Sequence, residues 1–65
     1  MKISKKKFEC ALARTFINPQ HFAKKAGLSY PVICRALNGS DIKPLSVGKI
    51  AHALGVDPAD IIEEE

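Results

Sequence analysis

The chain has 65 residues, of which 46% are hydrophobic and 26% are charged, and it contains four Gly, four Pro, two Cys and no Trp. A chain of this length forms one small domain with little room for a deep catalytic cleft, so an enzyme is not expected. No apolar run approaches the roughly 20 residues that span a bilayer. The basic start at residues 1–7 is not followed by the apolar stretch of a signal peptide. We therefore expect an unprocessed cytoplasmic protein without membrane contact.

The net charge of +3 hides an uneven distribution along the chain. Residues 1–50 contain all ten Lys and Arg and only two acidic residues, Glu9 and Asp41, whereas residues 51–65 contain five acidic residues and no Lys or Arg. A basic body with an acidic end favours a polyanionic partner, because phosphates that the protein neutralises release counterions. An ordinary solvated surface is the alternative interpretation.

The two cysteines, Cys10 and Cys34, match no disulfide or metal-binding spacing, so free thiols are expected. His21 and His52 would complete a set of four ligands. The order of these four residues nevertheless lacks the closely paired ligands of a zinc finger. We expect neither a metal nor another cofactor.

Turn-forming residues divide the chain into five short helices, and no segment shows the sustained alternation of a strand. The predicted helices span residues 4–14, 19–26, 29–37 and 46–54, followed by a short last helix that carries Ile61 and Ile62. The apolar stripe of the first helix comprises Phe8, Ala11, Leu12 and either Thr15 or Phe16. The sequence therefore predicts an all-α domain, a compact bundle of five short helices.

The boundaries of the second and third helices follow from their flanking residues. Asn18 precedes a proline. An Asn side chain at the N-cap accepts a hydrogen bond from a backbone N–H. A proline at the first helical position lacks only an N–H that would have no partner within the helix. Gly27 ends the second helix, because glycine adopts the left-handed conformation without a Cβ clash. Ser29 or Tyr30 caps the third helix, since the residue before Pro31 resists the helical region.

The second and third helices form a predicted helix-turn-helix over about residues 19–38. Its inward positions are small or apolar: Phe22, Ala23, Ala26, Leu28, Ile33 and Ala36. Ala23 is small because helices that cross at about 90–120° bring their backbones close together. With Ile33 inward, the outward positions of the third helix are Tyr30, Pro31, Cys34 and Arg35. A recognition helix, here about residues 29–38, lays such a face into the major groove of DNA.

The segment QHFAKKAGLSYPVICRALNG, residues 20–39, resembles the helix-turn-helix sequences of bacterial and phage repressors. Its AKKAGLSYPVICRALNG part is similar to the headpiece of LacI-type repressors. The continuation KPLSVGKIAHALGVDPADII resembles the fourth and fifth helices of the Cro/CI-like, or XRE, repressor domain. A LacI-type protein continues into a hinge and a sugar-binding domain, whereas the XRE resemblance covers almost the whole chain and is preferred.

The XRE resemblance implies a lambda-repressor-like domain that binds double-stranded DNA and regulates transcription, typical of phages and mobile elements. The expected base contacts are Ser29, Tyr30, Pro31 and Arg35, and the expected phosphate contacts are Asn18, Gln20, Lys24, Lys25, Cys34, Asn38 and Lys43. The chain departs from the family at two prolines. Pro19 replaces a Gln that commonly contacts phosphate, which shifts that contact to Gln20 or to the helix N–H groups. Pro31 offers only apolar contact, for example to a thymine methyl.

We also expect a homodimer on DNA, because one recognition helix reads few base pairs. The predicted dimer surface is Val56, Ile61 and Ile62, of which the two isoleucines lie within the acidic C-terminal end at residues 57–65. Alternatively, both isoleucines close the core of the monomer. Residues 5–7 form either an arm that reaches DNA or a solvated first turn. No small-molecule effector is expected.

Two other functions are compatible with the same pattern. One is a protein-interaction module, such as an antitoxin or a coactivator-like domain. The other is an architectural or recombination directionality factor, which bends DNA for an integrase.

Overall fold

A computed structural model describes residues 1–63, and over that range the chain is all-helical. In chain order the elements are α1 (Lys5–Ala13), α2 (Pro19–Ala26), α3 (Tyr30–Leu37), α4 (Pro44–Leu54) and one 3₁₀ turn (Pro58–Asp60). The predicted all-α class is confirmed. The predicted last helix is wrong in detail, because the 3₁₀ turn stands in its place and Ile61 and Ile62 lie after it. Of the acidic end at residues 57–65, Glu64 and Glu65 lie outside the described residues.

All four prolines lie in the first turn of a helix. At α2 the predicted cap is confirmed, since the Asn18 Oδ1 accepts a hydrogen bond from the His21 N–H at 2.7 Å. At α3 Ser29 occupies the N-cap position, but its side chain forms no capping hydrogen bond. Helix α4 begins at Pro44, two residues before the predicted start. Proline is favoured at the first position of a helix, because its fixed φ suits the helix and its missing N–H has no partner there.

The core is built from one or more side chains of every helix and from both chain ends. Its members are Ile3, Phe8, Leu12, Phe22, Ala23, Ile33, Ala36, Ile42, Val47, Ile50, Ala51 and Ile61. Phe8 of α1 meets Phe22 of α2 edge to face, with ring centroids 5.9 Å apart and an interplanar angle of 63°. This arrangement is favoured by the quadrupoles of the two rings.

The segment before α1 is held in place by backbone hydrogen bonds to two distant parts of the chain. Ile3 is fully buried, and it pairs with Ile62 in an isolated antiparallel bridge, while Lys2 pairs with Asp41 in another. The Ser4 N–H donates to the Ile61 carbonyl at 2.7 Å. The amino-terminal segment therefore joins the loop before α4 to the residues after the 3₁₀ turn.

The ends of the helices differ in the residue that adopts the left-handed conformation. Gly27 after α2, Gly39 after α3 and Gly55 after α4 have φ values of 73°, 75° and 74°. After α1 the left-handed residue is Phe16, with φ 60°, and its side chain is 95% exposed. Of the two alternatives for the last member of the apolar stripe of α1, Phe16 is exposed and therefore wrong, whereas Thr15 is half-buried.

A pair of identical substitutions tests the backbone requirement at the end of α2. Gly27→Ala is expected to destabilise the domain by about 1 kcal/mol, because an L residue is strained at positive φ. Gly48, inside α4, does not have positive φ, and a Cβ placed there meets nothing within 4 Å. Gly48→Ala is therefore expected to stabilise the domain by about 0.5–1 kcal/mol through helix propensity. Urea unfolding of the two variants measures the opposite signs, and equal shifts of the same sign would contradict the assignment.

Candidate nucleic-acid interface

Helices α2 and α3 are joined by a tight connection whose hydrogen bonds close the end of α2. The Gly27 N–H donates to the Lys24 carbonyl at 3.2 Å, and the Leu28 N–H donates to the Ala23 carbonyl at 2.9 Å. Beneath this connection the inward side chains Phe22, Ala23, Ile33 and Ala36 are all buried, as predicted. The packing therefore fixes which face of α3 points outward.

The outward face of α3 carries the side chains expected at base edges. Ser29, Pro31 and Arg35 are exposed, and Tyr30 is 42% exposed. Cys34 lies on the same face one turn after Tyr30 and is half-buried. These five positions thus share one side of the domain, where they are accessible to different degrees.

The pKa of Tyr30 depends on the neighbouring Cys34 side chain. A side-chain hydrogen bond to Cys34 raises the pKa of Tyr30 above its ordinary value, and charge on the Cys34 sulfur and burial act in the same direction. A phenol has one O–H, so donation by Tyr30 to an external group replaces its interaction with Cys34. Cys10, by contrast, is an exposed free thiol on α1.

Arg35 links α3 to the loop that precedes α4. Its Nη2 donates to the Asp41 carbonyl oxygen at 3.1 Å. A hydrogen bond from the amino group of Met1, together with the charge of that group, lowers the pKa of the Asp41 carboxyl, and Lys2 and Arg35 contribute further. A guanidinium group has five N–H donors, so this bond leaves most of them available to a ligand.

The residues expected at phosphates are all at the surface, apart from half-buried Cys34, but on several elements. Asn18 and Gln20 lie at the start of α2, Lys24 and Lys25 in its last turn, Asn38 after α3, and Lys43 at the N-cap of α4. A surface groove of about 630 Å³ between α3 and the start of α4 brings Arg35 and Lys43 together. Lys5, Lys6 and Lys7 form the first turn of α1, which excludes the extended arm as their conformation in this structure.

The charges around this face are mainly positive, with the Asp41 carboxylate beside Arg35 as the exception. Between Cys10 and Ser40 the sequence has no Asp or Glu. Among residues 1–63 the one ion pair joins the Met1 amino group to Asp41, so no described Lys or Arg side chain is neutralised by a carboxylate. With respect to the carboxylates of residues 1–63, the Lys and Arg side chains are therefore available to an external anion.

The predicted dimer surface is only partly at the surface. Ile61 is 1% exposed and belongs to the core, which contradicts its assignment to that surface. Val56 and Ile62 are half-buried and pack against the core. The alternative interpretation, in which the isoleucines close the core of the monomer, describes Ile61 correctly.

Sequence reasoning missed Asp41, whose backbone carbonyl holds Arg35 and whose carboxylate binds the amino group of Met1. The amino group of Met1 and Asp41 are 40 positions apart in the sequence, so no local sequence pattern predicts this contact.

Comparison of the chain with protein-family models, with curated proteins and with solved structures gave no match. Over residues 1–63 no helix is long and apolar enough to cross a membrane. In the same part of the chain, no three His, Cys, Asp or Glu side chains lie close enough together to hold a metal ion.

Proposed function

We propose that this chain is an XRE-like helix-turn-helix domain that binds double-stranded DNA and acts as a repressor-like regulator of transcription. One observation carries the proposal. The outward face of α3 presents Tyr30, Pro31 and Arg35 within residues 10–40, a range that contains several cations and no Asp or Glu, and Asp41 is the acidic residue that adjoins Arg35. A short helix with such a face fits the major groove, which admits an α-helix.

In the proposed complex, affinity and specificity come from different side chains. Lys24, Lys25 and Lys43 neutralise phosphates and release counterions, which supplies affinity without regard to sequence. Arg35 donates to a guanine edge, and Pro31 supplies an apolar contact to a thymine methyl. The Tyr30 hydroxyl donates to a base or a phosphate.

The hydrogen bond between Arg35 and the Asp41 carbonyl supports the proposed role of Arg35. It restrains a long side chain before DNA arrives, so less conformational entropy is lost when the remaining donors bind a base.

The salt dependence of binding to a random duplex tests the proposal, with fluorescence anisotropy as the measurement. We expect binding at low salt that weakens steeply as salt rises, with a slope of about 0.9 per phosphate contact. The double variant Lys24→Gln/Lys25→Gln is expected to reduce the slope by about one to two units. Lys5→Gln/Lys6→Gln removes the same charge from α1 and is the matched control, with a smaller expected change. Absence of binding at low salt would contradict the proposal and favour a protein-interaction module.

Selection of bound sequences from a random duplex pool then separates the kinds of DNA-binding protein. A palindromic consensus with half-sites about 34 Å apart is expected for a regulator that binds as a dimer. Clustered direct repeats would instead indicate an architectural or recombination factor.

A further inference from the structure

Helix α4 has a second apolar side, opposite the one that it buries. Val47 and Ile50 face the core, whereas helical spacing places Leu45, Gly48 and His52 on the far side. Leu45 is 71% exposed, and α4 contains no Asp or Glu. A surface helix ordinarily presents charged and polar residues opposite its buried face, so the outward side of α4 departs from that pattern.

An apolar groove lies between this side of α4 and the last turn of α2. Its volume is about 390 Å³, and the apolar part of its lining consists of Ala26, Pro44, Leu45, Gly48 and Ala53. Since an apolar cavity of about 150 Å³ holds a benzene molecule, the groove has room for two side chains of that size. From Leu45 to Ala53 helix α4 advances about 12 Å, which is about two turns of a second helix laid beside it.

Gly48 opens the groove at a position where the domain itself does not require a glycine. It lies inside α4, where glycine is less favourable than any residue except proline. A Cβ added there would meet no atom of a neighbouring segment within 4 Å among residues 1–63, so no packing contact of the domain excludes a side chain. Close approach of a partner to the backbone of α4 accounts for the missing side chain.

The polar side chains at the groove are basic. Lys25 lies on its α2 side, and Lys49 and His52 lie on its α4 side. Within residues 1–63 no Asp or Glu lines the groove, and no carboxylate pairs with either lysine. The complementary surface is therefore apolar in the middle and carries carboxylates at both edges.

We propose that this groove binds an acidic amphipathic helix of a partner protein, whose large apolar side chains enter the groove while its carboxylates meet Lys25 and Lys49. A helix satisfies its own backbone groups. An extended peptide would find no backbone partners along α2 and α4, because the groups of these helices are paired internally. Amphipathic helices bind apolar grooves of this kind.

Two other occupants fit the groove less well. The phosphates of DNA match the lysines but leave the apolar lining without a partner. The acidic end of a second copy lacks a free anchor, because Ile61 is buried in the core. Of the residues that line the groove, only Lys25 is also a proposed phosphate contact, and the inference does not depend on DNA binding.

The test starts with selection on the immobilised full chain from a random library of peptides of about twelve residues, which is about three helical turns. We expect the enriched peptides to be net negative, with large apolar residues three or four positions apart. The strongest of them, titrated to about 1 mM into isotope-labelled chain, should shift the amide resonances of Ala26, Gly48 and Ala53. Added salt should weaken its binding.

Gly48→Gln tests the groove without loss of the fold. Gln fills the groove and favours a helix more than Gly does, so the Tm should equal or exceed that of the parent chain. Peptide binding should weaken at least about tenfold. Lys49→Gln should weaken binding and reduce its salt dependence. Lys5→Gln is the matched control, because it removes the same charge from α1, away from the groove.

Three results would overturn the proposal. The first is a selection that enriches no acidic peptide with paired apolar residues, or equal peptide binding by the parent chain and Gly48→Gln. The second is a set of amide shifts at the groove when the chain alone is concentrated, which would make a second copy the occupant. The third is equal weakening of peptide and duplex DNA binding by Gly48→Gln, which would assign the groove to DNA. Failure of the chain to bind DNA would leave this inference unchanged.

Discussion

Phe22→Ala is expected to lower the free energy of unfolding by about 3–5 kcal/mol, which is the range for removing a buried aromatic ring. Phe22 is fully buried, and its ring contacts Phe8 edge to face, so the substitution leaves a cavity where α1 meets α2. At roughly 0.05–0.15 kcal/mol per residue, a domain of this size has about 3–10 kcal/mol of stability in total. The variant should therefore lose between about a third and all of that stability, which urea titration followed by circular dichroism measures.

Phe16→Ala provides the matched control for that experiment. It removes the same ring from a side chain that is 95% exposed, so the expected change in the free energy of unfolding is below about 0.5 kcal/mol. Comparable losses in both variants would mean that the two phenylalanines are not distinguished by burial, and the arrangement of α1 and α2 described above would be wrong.

Arg35→Ala is expected to weaken binding to a selected DNA site by about 1–3 kcal/mol, or roughly 5–150-fold, and to relax the preference at one base position. The variant lacks the two guanidinium N–H groups that donate to a guanine edge in the proposed complex. On a random duplex the loss should be smaller, because only the charge contribution disappears there. Anisotropy titrations on the selected and random duplexes measure the difference.

Two further variants separate the contributions of Arg35. Arg14→Ala removes the same charge just after α1 and should leave the base preference intact. Arg35→Lys keeps the charge but loses the fork of donors, so it should retain binding to random DNA and lose discrimination. Equal losses on both duplexes for Arg35→Ala would instead make Arg35 a phosphate contact. The Tm of each Arg35 variant shows whether loss of the hydrogen bond to the Asp41 carbonyl also destabilises the domain.

The class of the fold and the limits of its central helices could be predicted from the sequence, because they depend on neighbouring residues. Asn18, Pro19 and Gly27 act within one turn of the backbone they cap, and the structure has α2 over Pro19–Ala26 as predicted. The division of α3 into an inward and an outward face likewise follows from helical periodicity once Ile33 is placed inside. For this reason the composition of the candidate interface was accessible without a structure, while its role in DNA binding stays a prediction.

The contacts of the two chain ends with the rest of the domain became known only from the tertiary structure. The burial of Ile3 and Ile61 depends on hydrogen bonds between segments about 60 positions apart, and these bonds follow no sequence period. One 3₁₀ turn stands in place of the predicted last helix, and Ile61 after it is buried in the core. Phe16 fits the apolar stripe of α1 by spacing, but the chain turns left-handed at that residue and carries the ring into solvent. Helical periodicity predicts the direction of side chains only within the helix. The residue at which the helix ends depends on the packing of the segments that follow.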